Sequence, residues 1–330
     1  QETHARRYMV ARRALRVVFF GTPQCAVPTL DRLLASSHTV VGVVTQPDRP
    51  RGRGQKTSDG PVKARAIGAG IPVLQPATLK DHHAVAEIAA LHADIGVVAA
   101  YGKILTETIL QTPPLGMVNV HASLLPRYRG AAPVHRAVIT GDAQTGVTIM
   151  RVVRALDAGA MLSTVHREID PDETSEDVER ELSELGADLL VSTLDRLAQG
   201  PIHEEPQDDT RATYAPRLTK EDGLVDWSRS AVDVHNLIRG LYPWPHAYTY
   251  WRGRRLILLR SSPSSGTTHA LAGVVIAAHS DELRVAAGEG HLQILELQAE
   301  GKRPMTAREF LAGNRIEPGD HFSSQPDGTA

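Results

Sequence analysis

The sequence predicts an α/β fold in two parts: an open parallel sheet of Rossmann-like strand and helix alternation, then a small open β-barrel. Three observations predict it. Between Leu15 and His121, short apolar runs alternate with helical patterns at intervals that suit right-handed crossovers. After Asp226 the pattern changes to several short strands separated by glycine-rich turns. At 330 residues the chain is long enough to build two cores.

Composition narrows the function classes. Hydrophobic residues make up 42% and charged residues 22%, the balance of a soluble globular protein rather than a disordered one. A formal net charge of −2 gives no global attraction to nucleic acid, so such a partner must be met by a local patch. The only cysteine, Cys25, excludes an intrachain disulfide and a cysteine-based metal cluster. No apolar stretch approaches the ~20 residues of a membrane span, and no signal-peptide core precedes the first strand. A cytoplasmic protein is expected.

Taken in order, residues 1–14 hold Arg6, Arg7, Arg12 and Arg13 without clear periodicity. They read as a disordered upstream extension, with Met9 a natural start, or as an RNA-binding arm. A first domain is expected over 15–205. Its first strand, Arg16 to Phe20, ends in Gly21-Thr22-Pro23, and Val27, Leu30, Leu33 and Leu34 follow at helical spacing. Thr39 to Thr45 is a near-continuous valine run, as in a strand covered on both faces. Further strands fit Ile71 to Leu74, Asp94 to Ala99 and Met117 to His121, with helices over Val62 to Ile67 and Asp81 to Leu91. The first turn lacks the Gly-x-Gly-x-x-Gly needed for close approach of a pyrophosphate, which argues against a dinucleotide. In an open sheet of this kind the natural site is the crevice at the carboxyl ends of the strands.

Asn119 and His121 end one of those strands. Two apart, they leave the same face. An amide donor and a titratable ring converging on one point suit an acyl or formyl carbon, where negative oxygen develops in the transition state. Alone, the pair could as well cap a strand end. About forty residues on, the β-branched strand Gly146-Val147-Thr148-Ile149-Met150 precedes the turn Ala155-Leu156-Asp157-Ala158-Gly159. Tyr101, Gly102, Ile104 and Leu105 follow another strand, where they would either line a flat pocket or staple the next helix. The stretch from Gln46 to Lys56 holds two prolines and two glycines, which exclude a helix or central strand. Its four cations, Arg49, Arg51, Arg53 and Lys56, make either a phosphate grip or a solvated loop.

Glu168 to Asp188 is rich in acids, with Val178, Leu182, Leu185 and Leu189 at helical spacing, as in a solvated helix closing the domain. No metal-ligand geometry is apparent in it. A polar linker is expected over 206–225. The second domain, 226–318, opens with a helix over Ala231 to Leu241. Strands then fit Ala247 to Trp251, Arg255 to Leu259, Gly273 to Ala278, Leu283 to Ala286 and His291 to Leu297. The hairpin Trp251 to Arg255 is its one clearly basic spot, and aromatics with arginines suit single-stranded RNA ends. Residues 319–330 read as a disordered tail.

The run from Asn119 through Ser123-Leu124-Leu125-Pro126 to Gly130, with Gly21-Thr22-Pro23 and Asp157-Ala158-Gly159, resembles the folate-dependent formyltransferases. Cys25 stands where members often carry an aromatic. The resemblance implies that Asn119, His121 and Asp157 are catalytic, with Asn119 and His121 donating to the formyl oxygen through a tetrahedral intermediate. Asp157 would hold the ring and favour its charged form. It implies 10-formyltetrahydrofolate as formyl donor, without a metal. The folate would be enclosed by Ser123, Leu124, Leu125 and Pro126 on one side and Tyr101, Gly102, Ile104 and Leu105 on the other. The basic loop matches the insertion in members that formylate initiator methionyl-tRNA, where Arg53 would matter most and Arg49, Arg51 and Lys56 would add cationic contacts. Those members also carry an open, oligonucleotide-binding-like barrel at this place. The likeness spans Arg16 to about Arg315, and a monomer is expected.

Overall fold

The computed structural model describes residues 14–48, 50–51, 56–57, 59–266 and 269–325. Contacts divide the chain into two units. One comprises residues 1–129, 146–166 and 180–212, the other 130–145, 167–179 and 213–330. The chain therefore passes between them several times.

The first unit is built on a seven-stranded sheet of β1 (Arg16–Gly21), β2 (Thr39–Val44), β3 (Val73–Leu74), β4 (Ile95–Ala99), β5 (Met117–His121), β6 (Gln144–Arg151) and β7 (Met161–Glu168), in the order β7-β6-β5-β4-β1-β2-β3. The five strands from β3 to β5 run parallel. Val17, Val18, Phe19 and Phe20 are all buried, which explains the unbroken apolar run of β1: alternate side chains meet cover on both faces. Four helices connect the parallel strands, α1 (Val27–Leu34), α2 (Pro61–Gly68), α3 (His82–Ala89) and α4 (Glu107–Leu110); α5 (Pro133–Thr140) lies between β5 and β6, and α6 (Ser175–Leu197) follows β7. Strand order reverses on either side of β1, so the loops after β1 and β4 flank the switch point, with β5 beside them.

The parallel sheet expected over Arg16 to His121 is joined by β6, which runs antiparallel to β5, with Met150 opposite Asn119 and Thr148 opposite His121. The β-branched pattern marks a strand but carries no information about its direction.

In the second unit an antiparallel sheet comprises β8 (Ala247–Trp251), β9 (Arg254–Ser264), β10 (Val275–His279), β11 (Glu282–Ala286), β12 (His291–Ala299), β13 (Met305–Thr306) and β14 (Phe322–Ser323). Their order is β10-β11-β12-β9-β8-β14, with β13 beside β12. Trp227, Trp251, Phe310 and Phe322 fill its core, and the Trp227 indole N–H donates to Thr249 Oγ1 at 3.0 Å. The tail expectation is corrected here for residues 319–325. Phe322 is wholly buried, and its strand pairs with Trp251. The Val275 N–H donates to the Asp320 carbonyl and the Phe322 N–H to the Gly273 carbonyl, each at 2.8 Å, so the two outer strands of the curled sheet are joined. Helix α5 (Pro133–Thr140) packs on α7 (Ala231–Gly240) so closely that a Cβ at Gly240 would stand 2.5 Å from Ile139 Cγ1. Helix α8 (Ala307–Gly313) starts in a reciprocal Thr306–Glu309 capping box. No described helix is long and apolar enough to cross a membrane.

Candidate active site

His121 closes β5 and is buried, while Asn119 is half-buried. The His121 Nε2 lies 2.9 Å from the Tyr128 carbonyl. A carbonyl can only accept, so that nitrogen carries its proton. Nδ1 faces Asp157 Oδ2 at 3.8 Å, an ion-pair separation too long for a direct hydrogen bond. A proton arriving at Nδ1 therefore sits in the field of a carboxylate. Among the described residues, no side-chain hydrogen bond occupies the Asn119 amide, which leaves it available to a substrate.

Thr148, directly across the ladder from His121, sets the loop that follows. Wholly buried, its hydroxyl donates to the Ser123 carbonyl at 2.8 Å and accepts the Leu125 N–H at 3.3 Å. The Ser123 hydroxyl in turn donates to the Arg127 carbonyl at 2.7 Å. The loop is thus pinned to the strand next to the one that carries the amide and the ring.

Asp157 stands on its own tight turn. Its φ of 45° lies in the left-handed region, which Asp tolerates better than most residues but which still costs energy. Two residues on, a Cβ at Gly159 would stand 1.8 Å from the Arg151 carbonyl oxygen, so only glycine lets this turn lie against the end of β6. One amide holds the turn from outside: Gln207 Nε2 donates to the carbonyls of Asp157 and Gly159, both at 2.8 Å. Gln207 lies in the stretch expected to be a linker. That expectation is corrected for its first residues. Arg129 donates to Asp209 Oδ1 at 2.7 Å, and just before the stretch Glu205 exchanges two backbone bonds of 2.8 Å with Met161. Gln207 and Thr148 were not singled out from sequence, because neither a glutamine in a polar stretch nor a threonine in a strand signals its distant partner.

The residues expected around the folate are placed unevenly. Tyr101 is corrected from a pocket-lining ring to a core residue. It is 1% exposed, its ring meets Phe20 edge-on at 5.5 Å, and burial pushes its hydroxyl up to about 12. Its backbone carbonyl instead accepts from Gln46 Nε2 at 2.8 Å and Thr22 Oγ1 at 3.2 Å, tying together the loops after β1, β2 and β4. Gly102 has a φ of 78°, and a Cβ there would stand 2.6 Å from Gln46 Nε2. Ile104 is 88% exposed at the same loop, whereas Leu105 is half-buried against the core. Ser123, Leu125 and Pro126 are buried, and Leu124 is half-buried.

Arg49 and Arg53 lie outside the described residues. Arg51 and Lys56 fall on a short antiparallel ribbon, paired with each other across it. Asp48 and Asp59 flank that stretch, and Lys63 grips both: it donates to Asp48 and reaches Asp59 at 2.7 Å. The Lys63 hydrogen bond holds the Asp48 carboxyl below its ordinary range. Among the described residues, no cluster of His, Cys, Asp and Glu could hold a metal ion.

An open α/β sheet with an amide, a ring and a carboxylate at its switch point is the frame of a one-carbon transferase. Residues 15–194 match the formyl transferase family and residues 217–315 its C-terminal domain, and the chain belongs to that family. Within it, the chain groups with the methionyl-tRNA formyltransferases. It is 47% identical to that of Citrifermentans bemidjiense over 92% of this chain and 95% of the relative. It is 48% identical to that of Trichlorobacter lovleyi over 92% and 96%. Among solved structures, it superposes with a TM-score of 0.65 on the N-formyltransferase of Helicobacter canadensis in complex with folinic acid and dTDP-3-aminofucose. That likeness covers 85% of this chain and 98% of the other at 16% identity, and is one of fold.

Proposed function

We propose that this enzyme transfers the formyl group of 10-formyltetrahydrofolate to the α-amino group of methionine esterified to initiator tRNA, acting as a cytoplasmic monomer. The observation that carries the reading is the convergence of Asn119, His121 and Asp157 at the end of β5, in a chain aligned over nearly its full length with enzymes named for this reaction.

The neutral amine attacks the formyl carbon, forming the new C–N bond as the carbonyl electron pair moves to oxygen. Asn119 donates to that oxygen, where negative charge develops, and His121 donates to it from Nδ1, its Nε2–H being committed to the Tyr128 carbonyl. Asp157 holds the ring and the proton at Nδ1. The oxygen pair then returns, the bond from carbon to folate N10 breaks, and N10 takes up a proton as the former amine loses one. Tetrahydrofolate and formylmethionyl-tRNA result. An α-amino group titrates near pH ~8, so a useful fraction is already neutral and positioning carries much of the rate. The loops bearing Gly102, Ile104, Leu105 and Leu124 are the surfaces that enclose the pterin, with Ser123, Leu125 and Pro126 shaping their wall. Arg49, Arg51, Arg53 and Lys56 grip the acceptor arm.

The test is formyl transfer from 10-formyltetrahydrofolate to initiator methionyl-tRNA, elongator methionyl-tRNA and a panel of small amines, including an amino sugar nucleotide. Preference for the initiator is expected. Equal or better use of a small amine would overturn the assignment.

A further inference from the structure

We infer that Gln207 and Arg129 are positioning residues for the reaction, acting through the backbone of the turn that carries Asp157. This rests on the reading of Asp157 as the carboxylate partner of His121.

From His203 to Thr210 every residue is exposed except Gln207, which is half-buried. Its amide is used at both ends. The NH2 donates to two carbonyls of one turn, those of Asp157 and Gly159, and the oxygen accepts from Arg129 Nε at 3.0 Å. Arg129 is itself only 4% exposed, closes the loop that follows His121, and is oriented by Asp209. One path thus joins the end of the His121 loop to the turn of Asp157. It fixes two separate segments whose side chains must face each other at 3.8 Å. The turn needs such a hold, because Asp157 sits at positive φ with Gly159 pressed on the Arg151 carbonyl. Were Gln207 only fastening a surface strand, two donors to a single catalytic turn would be unnecessary. The neighbouring Glu205–Met161 backbone bonds and the Arg151–Glu204 ion pair already fasten it.

The experiment compares Gln207→Met, which keeps the shape and loses both donors, with Gln207→Glu, which keeps the acceptor for Arg129 but turns a carboxylate toward two carbonyls. Both should lower kcat by about 10- to 100-fold, the scale of a misplaced catalytic group. KM for each substrate and folate-analogue affinity should stay within about threefold. Combined with Asp157→Asn, either substitution should add less than about twofold, because the effect runs through Asp157. Thermal unfolding identifies a variant that is merely unfolded, and Arg129→Lys, which keeps the charge and loses the fork, then serves in its place with the same expectations. Wild-type kcat in the folded variants, or losses that multiply with that of Asp157→Asn, would overturn the inference. A harmless Asp157→Asn would instead overturn the reading of the carboxylate.

Discussion

The ring of His121 is committed on one side to a carbonyl and faced on the other by a carboxylate, so it has one useful proton and one partner for it. Asn119→Ala should lower kcat by about 10²–10³, the scale of losing one oxyanion donor. His121→Ala should be comparably severe and should not multiply with it, since the groups act as a unit. Rates at saturating substrate check both, and near-normal turnover of His121→Ala would remove it from the mechanism. Thr148→Val tests the loop. It leaves a buried carbonyl and N–H unmatched and should cost about 1–3 kcal/mol in denaturant unfolding while weakening folate binding. Asn119, His121 and Asp157 were legible as a set because their order and spacing are unusual. Thr148, Gln207 and Arg129 were not, because they act on backbone atoms of segments far away in sequence. Tyr101 misled for a related reason: an aromatic after a strand suits a pocket or a core equally, and only the packing against Phe20 decides.

At the level of elements, the clamp on the basic ribbon is the clearest handle. Lys63→Met should release both stems of the loop and raise KM for methionyl-tRNA several-fold while sparing folate binding, as steady-state kinetics with each substrate varied would show. Hydrogen bonds to Asp48 and Asp59 hold Lys63 above its ordinary range, as Lys63 holds Asp48 below its own, so the Lys63–Asp48 pair stays charged between about pH 5 and 9. Its effect should therefore follow salt rather than pH. Arg53→Ala should lessen the log–log salt slope of tRNA affinity by roughly one per lost phosphate contact. An unchanged slope and unchanged rates would make the loop a solvated one. Strands covered on both faces were readable from Arg16 to Phe20 and Thr39 to Val44, since continuous burial demands continuous apolar residues. The direction of β6 was not, because antiparallel and parallel neighbours ask the same of their side chains.

At the scale of the molecule, four histidines among the described residues, His38, His135, His235 and His246, are pushed down, in each case first by burial. The unfolded chain then takes up protons from about pH 6.5 that these folded rings resist, so stability falls as pH drops through that value. Thermal unfolding from pH 8 to 5 should show the loss beginning there, and a flat profile would mean that the folded rings accept protons freely. Ending the chain at Pro318 should destabilise the second unit by about 3–5 kcal/mol through the loss of Phe322 alone. One buried phenylalanine among Asp320, His321, Ser323 and Ser324 was enough to hide an ordered strand in a sequence that reads as tail. The interleaved chain path bears on how the protein is made. Helix α5 packs Ile139 against α7, which starts only at Ala231. At 5–20 residues per second, synthesis of the roughly 90 residues between them takes about 5–20 s. Throughout that interval the nascent chain carries α5 without its α7 partner, a natural place for a ribosome-associated chaperone to act.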